Sequence, residues 1–253
     1  MDLRLNGKRA ILAGASKGIG KATAKLLAAE GCFVALCARG RESLDATVDE
    51  IRSAGGKATG AALDMSDAES YRAWIDESAA QMGGADIFAC FATAGGGQPS
   101  EDSWKASFEA DLMLTWRGCE AVMPHLKAAG GGSIVALSSV AAVEDFFGAQ
   151  PYNAMKAALI TYAAALSQQL ASSGIRVNTI SPGPVLFEGG TWDRIRREKP
   201  DIFQAMTAKI PVGRMASAVE IASAIAFLCS PLSGSTTGTN LVIDGGFTKR
   251  VQF

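Results

Sequence analysis

The chain has 253 residues, 48% of them apolar and 19% charged, and a net charge of -1 at neutral pH. That size suits one α/β unit over residues 1–253, and the balanced charge points to neither nucleic acid nor an acidic membrane as a partner. No apolar run reaches the roughly 18 residues of a membrane span. The N-terminal M-D-L-R-L-N-G-K-R lacks the apolar stretch of a leader peptide, and the five cysteines show no C-x-x-C spacing beside a single histidine, His125. The expectation is a cytoplasmic protein with reduced, buried thiols and no metal.

In chain order, residues 10–13 read as a short apolar strand that runs into G-A-S-K-G-I-G, residues 14–20. A helical pattern follows on Ile19, Ala22, Thr23, Leu26 and Leu27, stops at Gly31 and gives way to a strand at 33–37. Strand, glycine-rich turn, helix and strand form the unit that sets a pyrophosphate on a helix N-terminus. The glycines run G-x-x-x-G-x-G instead of G-x-G-x-x-G, and a tight turn without a ligand is the bland alternative. An acidic residue at the end of the second strand holds the ribose hydroxyls of NAD. Here that end reads Ala38-Arg39-Gly40-Arg41, with no carboxylate before Glu42. Arg39 and Lys17 are placed to bind a 2′-phosphate, which predicts NADP(H) over NAD(H); the alternative is two solvated cations.

The alternation continues with a helix at 42–54, a strand at 58–63 ending at Asp64, and a helix at 67–82. A strand at 87–91 leads to A-T-A-G-G-G at 92–97, then a long helix over 104–126, bent at its start. A strand at 133–137 leads to Ser138-Ser139. After a helix that begins at Pro151 come a strand at 175–180, S-P-G-P-V, and irregular structure or short helices over 186–210. A helix at 217–229 carries a capping box, Ser217-x-x-Glu220, and a last strand at 241–243 precedes Asp244-Gly245-Gly246. Seven strands alternating with helices predict a Rossmann-type, doubly wound parallel sheet with helices on both faces. No linker or repeat marks a second domain.

The chemistry gathers between Ser139 and Lys156. Pro151 suits the first position of a helix, so Tyr152 and Lys156, four apart, share a helix face. A lysine cation within about 4–6 Å favours the phenolate, and such a tyrosine exchanges a proton with an alcohol or ketone near neutral pH. Ser139 is placed to hold the same oxygen. Taken alone, Y-x-x-x-K is better read as a solvated pair on a helix surface.

Taken together, G-A-S-K-G-I-G (14–20), Asp64, Ala94-Gly95, Ser139 with Tyr152 thirteen residues on, Y-x-x-x-K (152–156), Asn178, Pro182-Gly183 and D-G-G (244–246) make the chain resemble the short-chain dehydrogenase/reductase family along nearly its whole length. The resemblance implies that Gly14, Ser16, Lys17, Gly18, Ile19 and Gly20 cradle the phosphates and that Asp64 and Met65 contact adenine. It also implies that Ala94 and Gly95 border the cofactor and that Pro182, Gly183 and Val185 flank the nicotinamide. Ser139 would polarise the carbonyl, Tyr152 would transfer the proton, and Lys156 would support the tyrosine and hold the ribose. A homotetramer or homodimer is the implied assembly, and Ala157, Ala158, Thr161, Ala164 and Ala165 offer a small-residue face for close packing.

Two departures stand out. The family's N-N-A-G turn reads Ala92-Thr93-Ala94-Gly95, and the position of its catalytic-helix Asn holds Asp111. Two roles are open for Asp111 as a fourth catalytic residue. Its main chain binds a relay water, or its carboxylate faces Lys156 through that water. For the substrate, Phe146, Phe147, Phe187, Trp192, Phe203 and Met206 are candidate walls of an apolar pocket under a lid at about 186–210, or else anchors of loops to the core. Glu144, Asp145 and Glu188 would meet a polar group or face water. Three readings remain at this level: an NADP-dependent carbonyl reductase or alcohol dehydrogenase, a 3-oxoacyl thioester reductase, and an NADP-binding regulatory protein without turnover.

Overall fold

The computed structural model describes residues 2–96, 99–249 and 251; Met1, and Gly97 at the end of the glycine-rich turn, lie outside them. The first half of the chain runs β1 (Arg9–Ala13), α1 (Gly18–Ala29), β2 (Phe33–Ala38), α2 (Arg41–Ser53), β3 (Lys57–Ala62), α3 (Ala68–Met82) and β4 (Ile87–Cys90). Next come α4 (Glu101–Ser107), a π-helical turn (Phe108–Met113), α5 (Leu114–Ala128), β5 (Gly132–Leu137) and α6 (Pro151–Leu170). The chain continues with β6 (Ile175–Pro182), β7 (Val185–Leu186), α7 (Thr191–Glu198), α8 (Pro200–Thr207), β8 (Ala216–Ser217), α9 (Ala218–Cys229) and β9 (Asn240–Ile243).

Seven strands form one sheet in the order β3-β2-β1-β4-β5-β6-β9, every pair parallel. The expected doubly wound fold is therefore present. Strands covered on both faces are apolar throughout rather than alternating; β4, I-F-A-C, is buried at all four positions. Successive residues still face opposite layers. Ala10 and Leu12 of β1 pack with Leu27 of α1, Leu44 of α2 and Ile225 of α9. Ile11 and Ala13 face the other way, toward Ile75 of α3, Val122 of α5 and Leu166 of α6. Strand order reverses between β1 and β4, and in such sheets the crevice beyond the carboxyl ends of the strands at that reversal is where ligands bind.

Local chemistry sets the helix ends. Asp67 caps α3 by accepting from the amides of Glu69 and Ser70. The expected box on α9 is formed, with Ser217 accepting from the Glu220 amide and Glu220 accepting from the Ser217 amide. Gly174, at φ 70, turns the chain out after α6.

Several boundaries differ from expectation. The helix expected over 104–126 starts at Glu101, where Ser100 caps it, and is interrupted by the π turn before α5. A π turn takes about one more residue per turn than an α-helix, so it shifts which side chains face inward beyond it. β6 extends two residues past its expected end, because Ser181 and Pro182 still pair with Val242 and Ile243. The segment after Pro182 contains α7 and α8, and also the two-residue strands β7 and β8, which pair in parallel as a separate small sheet. No helix among the described residues is long and apolar enough to cross a membrane. All five cysteines are free and buried.

Candidate active site

The crevice at the β1/β4 reversal is a cleft of about 970 Å³. One side is the turn after β1: Gly14, Ser16, Lys17, Gly18, Ile19 and Gly20. Its glycines are required by space. A Cβ on Gly14 would lie 2.7 Å from the amide nitrogen of Ala92, and one on Gly20 would lie 2.8 Å from Cα of Ala15. Gly14, at φ 73, and Gly18, at φ 54, also use the left-handed region. The N-terminus of α1 has no side-chain cap, so its first amides are donors that await an acceptor. Uncapped amides at the positive end of a helix, in a cradle with no room for Cβ atoms, fit the phosphates of a dinucleotide.

Arg39, Gly40 and Ser43 line the cleft beyond the end of β2. Arg39 is exposed and forms no ion pair among the described residues. Asp64 and Met65 lie on the same wall. The Asp64 carboxylate accepts from the amide and hydroxyl of Ser66, at 3.0 and 2.9 Å. Those bonds, with a smaller pull from Arg39, hold its carboxyl below the usual range.

Thr93, Ala94 and Tyr152 line the same cleft. Lys156, one turn after Tyr152 on α6, is buried, and its Nζ lies 5.5 Å from the centroid of the Tyr152 ring. The same ammonium donates to the Leu137 carbonyl at 2.9 Å. Ser138 donates to the main-chain carbonyl of Lys156 at 2.8 Å, which ties β5 to α6. Ser139 is extended and its Oγ accepts from the Ala141 amide at 3.2 Å. Among the described residues its hydroxyl hydrogen has no protein acceptor, so it is free to donate.

Asp111 corrects an expectation. Its carboxylate faces Lys156 directly, without the space for an intervening water that the sequence had suggested. Oδ1 lies 3.4 Å from Nζ, and both side chains are buried. Asp111 is fully buried, at 0% exposure, and a buried carboxylate needs several partners. Thr93 Oγ1 donates to Oδ1 at 2.5 Å, and Ser107 Oγ donates to Oδ2 at 2.9 Å. In the sequence Thr93 stands out only as part of the turn Ala92-Thr93-Ala94-Gly95 that replaces the family's N-N-A-G. The signal that would have singled it out is the coincidence of two departures, no Asn pair in the turn and an acid at position 111.

Gly95, the other end of this turn, donates its amide to Thr93 Oγ1 at 2.9 Å. Pro182 ends β6 and Gly183 packs on Asp244, where a Cβ would lie 2.8 Å from the Asp244 Cβ. Val185 is buried in the core; Phe187, two residues on, is the member of this segment that lines the cleft. Phe187 is thus the substrate-wall candidate that lines the same cleft as Tyr152. Its ring sits between two glycines, so that a Cβ on either Gly18 or Gly190 would lie 2.7 Å from it. The other candidates do gather. Phe146, Trp192 and Phe203, with Phe247, pack on Met206, Ile210 and Met215. Phe147 is 58% exposed at φ 58, with its ring edge-on to Phe146 and 6.4 Å from that of Trp192. Glu144 accepts from the Lys249 amide at 3.1 Å, and Asn178 joins β6 to the Thr236 carbonyl and the Thr239 amide.

Sheet order, glycine cradle and the Tyr–Lys pair on α6 together define a dinucleotide-dependent oxidoreductase. The sequence model of a family described as enoyl-(acyl carrier protein) reductase matches residues 14–248. D-threitol dehydrogenase of Mycolicibacterium smegmatis is 36% identical over 253 residues, covering 98% of this chain and 95% of that one. L-sorbose reductase of Gluconobacter frateurii, solved with NADPH and L-sorbose, superposes with a TM-score of 0.92 at 29% identity, covering 99% and 100% of the two chains. A 7α-hydroxysteroid dehydrogenase complexed with NADH and 7-oxo glycochenodeoxycholic acid gives a TM-score of 0.90 at 30% identity, covering 97% and 96%. The chain belongs to the short-chain dehydrogenase/reductase family, an enzyme family acting on CH–OH groups.

Proposed function

We propose that the protein interconverts a ketone and a secondary alcohol with NADP(H), with Tyr152 as the acid/base. The observation that supports this most directly is Lys156 Nζ 5.5 Å from the centroid of the Tyr152 ring, with Tyr152 lining the same cleft as the glycine-rich turn. When bound, the dinucleotide supplies or accepts the hydride. In the reducing direction the Tyr152 hydroxyl gives its proton to the carbonyl oxygen, and Ser139 Oγ donates a hydrogen bond to the same oxygen. Lys156 stabilises the phenolate left behind.

The preference for NADP(H) rests on Arg39 just past the end of β2, on Lys17 in the turn after β1, and on the absence of a carboxylate at the end of β2. The related structures carry NADPH in one case and NADH in the other, so the choice is read from this chain's own residues. In this reading residues 1–253 are one catalytic unit and the segment at about 186–210 is its substrate lid. The aromatic cluster around Phe146 and Trp192 suits a substrate with an apolar or ring-shaped body.

The test is NADPH oxidation against a panel of ketones, beside a binding measurement, with wild type and Tyr152→Phe. Loss of turnover in the variant with cofactor affinity within a few-fold of wild type is expected. Near wild-type kcat in Tyr152→Phe would remove Tyr152 from the chemistry. Cofactor binding with no turnover of any substrate would indicate a regulatory protein, and efficient, salt-sensitive use of a 3-oxoacyl carrier protein would indicate a thioester reductase.

A further inference from the structure

Asp111 is the meeting point of three elements that carry no sequence continuity. The π turn directs its side chain inward, while Ser107, four residues earlier, bonds the same carboxylate at 2.9 Å. On its other side Oδ1 takes both the Thr93 hydroxyl, at 2.5 Å, and the Lys156 ammonium, at 3.4 Å. The amide of Ala94 points at Oδ2 from 3.4 Å. Thr93 Oγ1 in turn accepts from the Gly95 amide at 2.9 Å. An unbroken chain of polar contacts therefore runs from the turn after β4, through Thr93 and Asp111, to the ammonium near the Tyr152 ring.

We propose that Thr93 and Asp111 act as one positioning pair that sets where the Lys156 ammonium sits between the Asp111 carboxylate and the Tyr152 ring. The proposal deepens the reading of Tyr152 as acid/base and rests on it. Neither residue is assigned contact with the reacting atoms. The Thr93 hydroxyl occupies a lone pair on Oδ1 and satisfies part of that charge. Without it, the ammonium becomes the main partner of Oδ1 and is drawn away from the ring. The phenolate then loses support, and its formation moves to higher pH. Removing the carboxylate charge has the opposite sign, because a negative group beside Lys156 opposes a second negative group on Tyr152.

Other charges near this chain are accounted for. α6 packs against α4, the π turn, β5, β6 and two short 3₁₀ turns. On those elements Glu109 pairs with Arg117, Glu101 pairs with Lys105, Asp102 is exposed, and Arg176 binds the carbonyls of Leu228 and Ser230. Cys90 lies near Lys156, and burial raises its thiol, which keeps it neutral.

The experiment follows the phenolate ultraviolet band during a pH titration of the full chain, without substrate. The chain has three tyrosines. Burial pushes Tyr71 and Tyr162 well up, and the signal that disappears in Tyr152→Phe is assigned to Tyr152. Wild type, Thr93→Val, Thr93→Ser, Asp111→Asn and Thr93→Val/Asp111→Asn are compared, with the pH profile of alcohol oxidation as a second readout. The expected result is a midpoint raised by up to about one pH unit in Thr93→Val, restored in Thr93→Ser and lowered in Asp111→Asn. In the double variant the Thr93→Val shift should vanish, because its effect passes through the carboxylate. Superimposable titrations of wild type and Thr93→Val would overturn the pair, as would a Thr93→Val shift of equal size in the Asp111→Asn background. Either result, with Tyr152→Phe still inactive, sinks the pair alone. An active Tyr152→Phe sinks the acid/base reading and the pair with it.

Discussion

Arg39→Asp tests the cofactor assignment most sharply, because it changes one exposed side chain at the rim of the cleft and nothing in the core. A charge-assisted hydrogen bond contributes roughly 1.5–3 kcal/mol. Arg39 is solvent-exposed, so the lower end applies, about 1.5 kcal/mol for the bond lost to a 2′-phosphate. The new carboxylate also repels that phosphate. At about 5 Å in water, two unit charges interact by roughly 0.8 kcal/mol, and a phosphate of about −1.5 to −2 raises this to roughly 1.2–1.7 kcal/mol. The sum is near 3 kcal/mol, or about a hundredfold in Kd. NADH lacks the phosphate and should bind as well as before or better, because a carboxylate at the end of β2 accepts from the ribose hydroxyls. The assay is Kd for NADPH and NADH, by calorimetry, for both proteins at low and high salt. The NADPH deficit should shrink as salt rises. Equal weakening toward both cofactors, or equal wild-type affinity for the two, would refute the reasoning.

Phe147→Gly should leave Tm within about 4 °C of wild type, because relief of a left-handed backbone, worth roughly 1–2 kcal/mol, offsets the lost aromatic contacts of about 0.5–1.5 kcal/mol each. KM for ring-bearing substrates should rise several-fold, and a large fall in Tm would instead make the ring an anchor of the loop. Glu220 supplies a pH-dependent contribution: the Arg214 guanidinium, helped by the Ser217 amide and hydroxyl, lowers its carboxyl from the ordinary 4.5 to about 2. Its folded-state value lies below the unfolded one, so its stabilising effect is complete above about pH 4.5 and is lost as pH falls through 2. Thermal melts of wild type and Glu220→Gln should therefore differ near neutral pH and converge between those limits; a constant difference would contradict this.

The alternation of strands and helices was legible because buried parallel strands are short apolar runs with glycine or polar punctuation, as at residues 10–13 and 33–37. The box at Ser217 and Glu220 was legible because it is local. The π turn was not, since the apolar Phe108 and Leu112, four apart, fit a regular helix equally well. β7 and β8 have two residues each, too few to carry a period. Tyr152 and Lys156 were readable from a spacing of four. The third member of that contact, Asp111, was visible only as an anomaly, because its distance to Lys156 depends on how two helices cross. The contact of Phe187 with Gly18 was hidden for the same reason: an apolar residue after Pro182-Gly183 says nothing about which glycine it will meet.

The seat of Phe187 has a practical consequence for anyone who would redesign the enzyme. One ring is held between Gly18, in the phosphate turn, and Gly190, at the start of α7. The segment proposed to border the substrate and the loop proposed to grip the dinucleotide therefore meet at one side chain. Grafting residues 186–210 from a relative to change substrate choice would carry a different side chain into the slot above Gly18. Substrate range and cofactor grip in such chimeras are then inherited together, and a library that varies this segment needs position 187 held fixed or screened against cofactor affinity from the outset.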